Sequence, residues 1–249
     1  MGSGMRASLV DISRYQEVID ASKIKAAGFC GIIARCTIGF MEDGSSVGKG
    51  LDFYKNSQRQ AKDNGLIFGA YHVLWPSNKA PIREADNFLG KCGDIDLAVI
   101  DVELLGGQTL AQVQGQSKAW LERVEGVQGK KPWVYTGSWF WTTPAGWENG
   151  YPLIEAEYLI SQPRGGIDRT QQPESPKEPT SKGWSSWAMW QWTSGGKPLG
   201  APSESMDYDC VNGTEEQFRT FLGLQPPPPS LEERVGKLEV EARIRGWGV

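Results

Sequence analysis

Between residues 9 and 221 the chain alternates short, almost continuously apolar runs with stretches of helical periodicity, and few folds accept that pattern. The runs at 9–12, 31–37, 67–73, 98–102, 133–136, 157–161 and 188–193 are predicted strands. Helical spacing covers 17–27, 53–64, 82–92, 110–124 and 215–222, and Gly28 and Gly65 fall just past two of these stretches, where a helix ends most easily. Strands apolar on both faces need cover on both sides, which repeated βα units supply. The predicted fold is therefore α/β, an irregular (β/α) TIM-like barrel over 6–224. The irregularity is expected after Thr136, where strands follow one another without a clear helix until Glu215.

Two breaks in composition frame this region. Residues 162–182 are rich in Pro, Gly, Ser, Thr and Gln and read as a long surface loop. Residues 225–230 hold the run Pro226 to Pro229, a stiff linker rising about 3.1 Å per residue. Beyond it, 231–249 reads as a short amphipathic helix: Ser230 and Glu233 form a capping box, and Leu231, Val235, Leu238 and Ala242 make one apolar seam. Three fates stay open for so short a helix, namely weak self-association, packing on a partner, or fraying. Met1 to Met5 reads as an added leader with the native start at Met5, and no signal-peptide pattern follows it.

Composition removes several kinds of chemistry. The formal charge of −4 argues against a nucleic-acid partner, and no apolar run approaches the roughly 20 residues of a membrane span. With one histidine in the chain and no CxxC spacing among Cys30, Cys36, Cys92 and Cys210, neither a metal site nor any other cofactor is expected. The cysteines are expected to be reduced packing residues. His72, inside an apolar strand pattern, is expected to orient other groups rather than react.

What remains is carboxylate chemistry. In a parallel barrel the working residues gather at the C-terminal ends of strands, and there the chain places acids. Asp11 ends the first strand, and Asp101 and Glu103, two apart and so on one face, end the fourth. A late pair, Asp207 and Asp209, follows the last predicted strand, where it can close the ring beside the first. Converging carboxyls, one kept protonated by its neighbours, are what hydrolysis of a glycosidic bond requires. Eight of the eleven tryptophans lie between Trp133 and Trp192, and two or three of them are expected to offer flat faces to a sugar. Trp139 and Trp190 are the candidates.

The motifs Asp11-Ile12-Ser13-Arg14-Tyr15-Gln16, Ala34-Arg35-Cys36-Thr37, Gly69-Ala70-Tyr71-His72 and Asp101-Val102-Glu103 occur in that order. Pro132-Trp133-Val134-Tyr135-Thr136, Ala156-Glu157-Tyr158, Trp190-Gln191-Trp192-Thr193 and Met206-Asp207-Tyr208-Asp209 follow. Together they resemble the family 25 glycoside hydrolases, the Chalaropsis-type lysozymes, over roughly 8–222. The resemblance implies cleavage of the β-1,4 bond between N-acetylmuramic acid and N-acetylglucosamine in bacterial peptidoglycan. It implies Glu103 as general acid and Asp101 as the carboxylate facing the developing positive charge. Asp11, Asp207, Tyr71, Tyr135, Tyr158, Trp139 and Trp190 are then expected to line the substrate cleft. Many members are phage endolysins or secreted wall hydrolases, and the proline linker and tail suit a phage lysin.

The chain departs from the family pattern at Cys36, at Ile154-Glu155-Ala156, where an aromatic is expected, and in the length of 162–182. Two other readings stay open: a chitinase-like glycosidase, disfavoured because Val99 stands where that family needs an aspartate, and a catalytically idle glycan-binding module.

Overall fold

Eight strands close on themselves in the computed structural model, which describes residues 6–42, 50–159, 164–226 and 235, 239 and 240. In chain order the strands are β1 (Ser8–Ile12), β2 (Gly31–Ile38), the short β3 (Met41–Glu42), β4 (Ile67–Val73), β5 (Leu97–Asp101), β6 (Trp133–Thr136), β7 (Leu153–Ala156), β8 (Met189–Gly196) and β9 (Met206–Val211). The barrel runs β1-β2-β4-β5-β6-β7-β8-β9 and returns to β1, with β3 hanging on β2 outside the ring. Neighbours from β1 round to β8 pair in parallel, whereas β9 is antiparallel to both β8 and β1.

The helices are α1 (Ala21–Ala26), α2 (Gly50–Asp63), α3 (Pro81–Cys92), α4 (Leu110–Gln128) and α5 (Glu215–Phe221). Their limits follow from local chemistry. Asp20 accepts the Ser22 and Lys23 amides to start α1, and Thr109 and Gln112 cap each other's backbone at the head of α4. Gly129 ends α4 at a positive φ of 67°, which glycine adopts without strain.

The pleat sorts each strand into two cores. Leu9, Ile33, Ile67, Val99, Trp133, Ile154, Met189 and Val211 point inward and fill the lower barrel. Their neighbours Val10, Ile32, Phe68, Ile100, Val134, Leu153, Trp190 and Cys210 point outward, and on that side the helices and long connections cover the wall. Helix α5 lies across the N-terminal end of the barrel: Phe218 packs edge-on against Trp133, and Leu222 joins the inner core. The four cysteines are buried and form no disulfide among the described residues. No helix among those residues is long and apolar enough to cross a membrane.

Several expectations need correction. The strand predicted at 157–161 lies instead at β7, because Leu153, Ile154 and Glu155 register with β6. Tyr158 and Leu159, which prompted the prediction, lie beyond the strand end and are exposed. The helix predicted over 17–27 begins only at Ala21, and a separate 3-10 turn at Arg14–Gln16 is capped by Ser13. Asp207 and Asp209 do not follow the last strand but belong to it, and that strand runs against the rest. The predicted surface loop is described from 164 onward and is tied down: Ile167 is buried, and Thr180 and Ser181 bond to the buried Glu155 carboxylate. Of the tail only Val235, Glu239 and Val240 are described, with both valines exposed. Residues 227–230 and the rest of the predicted seam lie outside the described residues.

Candidate active site

Above the apolar floor, six of the inward-facing strand positions carry a polar group, while β7 offers Ala156 there. Two residues beyond Leu9, Ile33, Gly69, Val99, Trp133 and Met189, the same face of each strand presents Asp11, Arg35, Tyr71, Asp101, Tyr135 and Gln191. Across the β1–β9 ladder Asp11 sits opposite Asp207, and Asp101 sits opposite Tyr135 across β5–β6. Glu103 follows Asp101 on the same side, just past the strand end, and is half-buried. The chain thus brings Asp11, Asp101, Glu103 and Asp207 to one mouth at the C-terminal end of the parallel strands.

Crowding and burial set the charges there. Burial pushes the Asp11 and Asp101 carboxyls well above the usual carboxylate range; neighbouring acids push them further, and Arg35 pulls both back. Asp207 is raised to about 7, by burial first and then by Glu103. Glu103 is raised by burial, while a hydrogen bond with Asp101 favours its charged form. The same bond raises Asp101. The bond within the β5 pair thus favours a charged Glu103 and a neutral Asp101.

The tyrosines complete the wall. Tyr135 and Tyr158 both donate to Gln191 Oε1, at 2.8 and 2.6 Å, so one amide from β8 gathers a side chain of β6 and one just beyond β7. Tyr71 lines the β4 side, half-buried.

Two exposed indoles follow β4 and β6 at the same end of the barrel. Trp139 is 55% exposed, and its ring lies over Gly137, where a Cβ would come within 2.0 Å of it; the opposite face is open. Its loop is held from behind by the Glu148 carboxylate, which accepts from Trp141 Nε1 and from the Ala145 and Gly146 amides. Trp75, after β4, is 40% exposed and is anchored by its own amide, which donates to Glu84 at 3.0 Å.

Trp190 does not reach the mouth. It faces outward from β8, is fully buried, and donates its indole N–H to the Glu157 carbonyl at 2.7 Å. Alternation along Trp190-Gln191-Trp192 turns both tryptophans to the outer core and the glutamine to the site. Sequence reasoning gave no site role to Gln191 or Arg35, named Asp209 only as the companion of Asp207 at the ring closure, and passed over Trp75. The first three were legible as the inward steps of the same two-residue alternation. Trp75 carried no signal, standing alone before Pro76.

Carboxyls that hold protons near neutrality, with flat open indoles at the same end of the barrel, suit acid catalysis on ring-shaped substrates, and the protein is a glycoside hydrolase. The Glycosyl hydrolases family 25 profile matches residues 10–201, and the chain belongs to that family. Among its relatives, the uncharacterized protein YegX of Escherichia coli O157:H7 is 31% identical over 228 residues, 88% of this chain and 75% of that one. The N,O-diacetylmuramidase of Chalaropsis is 28% identical over 169 residues, 61% of this chain and 78% of the relative. The crystal structure of a bacterial lysozyme from Streptomyces coelicolor has the same fold, with a TM-score of 0.68 at 21% identity, covering 90% of this chain and 98% of that one.

Proposed function

We propose that the enzyme hydrolyses the glycan strands of bacterial peptidoglycan at the β-1,4 bond between N-acetylmuramic acid and N-acetylglucosamine. The observation that carries this reading is the convergence of Asp11, Asp101, Glu103 and Asp207, from three strands, on one mouth at the end of the barrel that carries two exposed indoles. The Chalaropsis relative, a diacetylmuramidase by name, supports the substrate class.

Glu103 is the outermost acid of the β5 pair and stands where a leaving oxygen would meet it. It gives that oxygen a proton as the glycosidic bond breaks, and the bonding electrons leave with the oxygen. Positive charge then spreads over the anomeric carbon and ring oxygen. Asp101, deeper and on the same face, becomes the anion opposite that charge, and its proton moves out to Glu103 as a bound sugar excludes water. Water completes the hydrolysis. Asp11 and Asp207 line the floor, Tyr71, Tyr135 and Tyr158 bound the cleft, and Trp139 supports a sugar ring. The site of action is the bacterial cell wall.

Digestion of purified peptidoglycan, followed by borohydride labelling of new reducing ends and mass spectrometry, tests this. Reduced muramic acid is the expected product; reduced glucosamine would make the enzyme a glucosaminidase, and no new ends with binding intact would leave a glycan-binding module. Glu103→Gln should fold normally and lose about 10²–10⁴-fold in kcat, the range for removal of a general acid.

A further inference from the structure

Asp209 lies one step below the mouth. It pairs with Leu9 across the β1–β9 ladder and with Gln191 across β8–β9, while Asp207, two residues earlier on the same face, pairs with Asp11. Asp209 and Asp11 are thus diagonal neighbours, with backbones about 7–8 Å apart and side chains on one face. Asp209 is 0% exposed, and the neutral Gln191 amide is the donor that acts on its carboxyl. Gln191 cannot neutralise it: its Oε1 is taken by the Tyr135 and Tyr158 hydroxyls, and its neutral amide favours the charged form only in part. The groups acting on the carboxyl are Asp11 from β1, Gln191 from β8, Tyr158 beyond β7, and Asp207 and Cys210 on its own strand. Arg35 on β2 pulls on Asp11. Carboxyls sealed from water beside one another resist being charged together, and among the neighbouring acids Asp209 raises Asp11 most.

We propose that Asp209 is a positioning residue for Asp11: the two carboxyls, one step apart on the same face, share one proton and one charge. Asp11 then presents to the cleft a carboxyl whose orientation and protonation are set from beneath. Asp209 itself touches no substrate. The proposal rests on the hydrolase reading for the use of Asp11, although proton sharing can be measured without turnover.

Asp209→Asn keeps the shape and removes the proton site. Its kcat/KM–pH profile on purified peptidoglycan should move to lower pH by roughly one unit with KM unchanged, because Asp11 no longer ionises beside a second carboxyl that carries the pair's charge. Potentiometric titration at neutral pH should show one proton fewer bound than in wild type. A variant with the wild-type profile and wild-type proton count, altered only in melting temperature, overturns the proposal. Should the variant not fold, carboxyl-¹³C aspartate in the wild-type protein, assigned with Asp11→Asn, serves instead. Coupled two-step titration of Asp11 and Asp209 is expected, and independent titration overturns the proposal. Absence of activity in wild type would count against the proposed reaction and leave the titrations standing.

Discussion

His72 Nε2 lies 2.9 Å from Glu84 Oε2, with both side chains sealed between the barrel wall and α3. The histidine stacks on Trp120 and meets Thr37 Oγ1 through Nδ1 at 2.7 Å. Glu84 also accepts from the Trp75 amide and from Asn78 Nδ2, so one buried carboxylate ties the wall to the loop that carries an exposed indole.

Glu84→Ala should therefore lower stability by about 3 kcal/mol, since it leaves the buried His72 and two part-buried donors, the Trp75 amide and Asn78 Nδ2, without an acceptor. For a chain of this size that is roughly 6–12 °C in Tm, measurable by calorimetry. Burial holds the His72 pKa below its ordinary value while Glu84 pulls it up. The stability His72 gains by staying neutral is present above the ordinary histidine range and is lost as pH falls through its lowered folded value. An unchanged Tm in Glu84→Ala would mean that water replaces the carboxylate without loss.

Gly137→Ala should act on binding rather than on the fold. The added Cβ would stand 2.0 Å from the Trp139 ring and must displace it. Loss of one stacking face is worth about 1 kcal/mol, roughly fivefold in KM, with kcat preserved. Trp139→Ala should match it in kinetics on soluble glycan fragments. A fall in kcat at constant KM would instead place the indole against the reacting bond.

Asp207→Asn should reverse part of the pH dependence of stability. The ordinary aspartate value is 3.8 and the folded value is about 7, so the folded state binds the extra proton between those limits. Stability from this group is complete below 3.8, falls as pH rises, and is gone above 7. The amide variant has no such slope. At pH 8 it should be more stable than wild type by on the order of 4 kcal/mol, with the gain shrinking toward pH 4. Urea midpoints at the two pH values decide it, and parallel curves would mean that Asp207 is not strained in the native state.

Much of this architecture is legible in the residues because the strands are apolar on both faces and end in acids. Asp11, Asp101 and Glu103 stand out as charges that close otherwise apolar runs. Legibility failed where tertiary pairing overrode local pattern. Tyr158 and Leu159 look like strand residues, yet the register with β6 starts β7 earlier, at Leu153. Trp190 looks like a ligand face, but the pleat turns it outward and hands the site to a plain glutamine. The direction of β9 carries no local mark, because the pairing energy of an antiparallel strand lies in its partners β8 and β1.

The reversal of β9 also decides where the chain leaves the barrel. A parallel last strand would deliver the polypeptide to the mouth, among the acids. Running the other way, β9 contributes Asp207 near its start and then descends to the opposite face, where α5 closes the floor and Leu224 packs on the inner core. The polypeptide passing Pro226 thus departs from the end of the molecule remote from the cleft. Working edge and closing helix are set at opposite poles, so substitutions in α5 can retune the floor of the barrel without shading the sugar's approach.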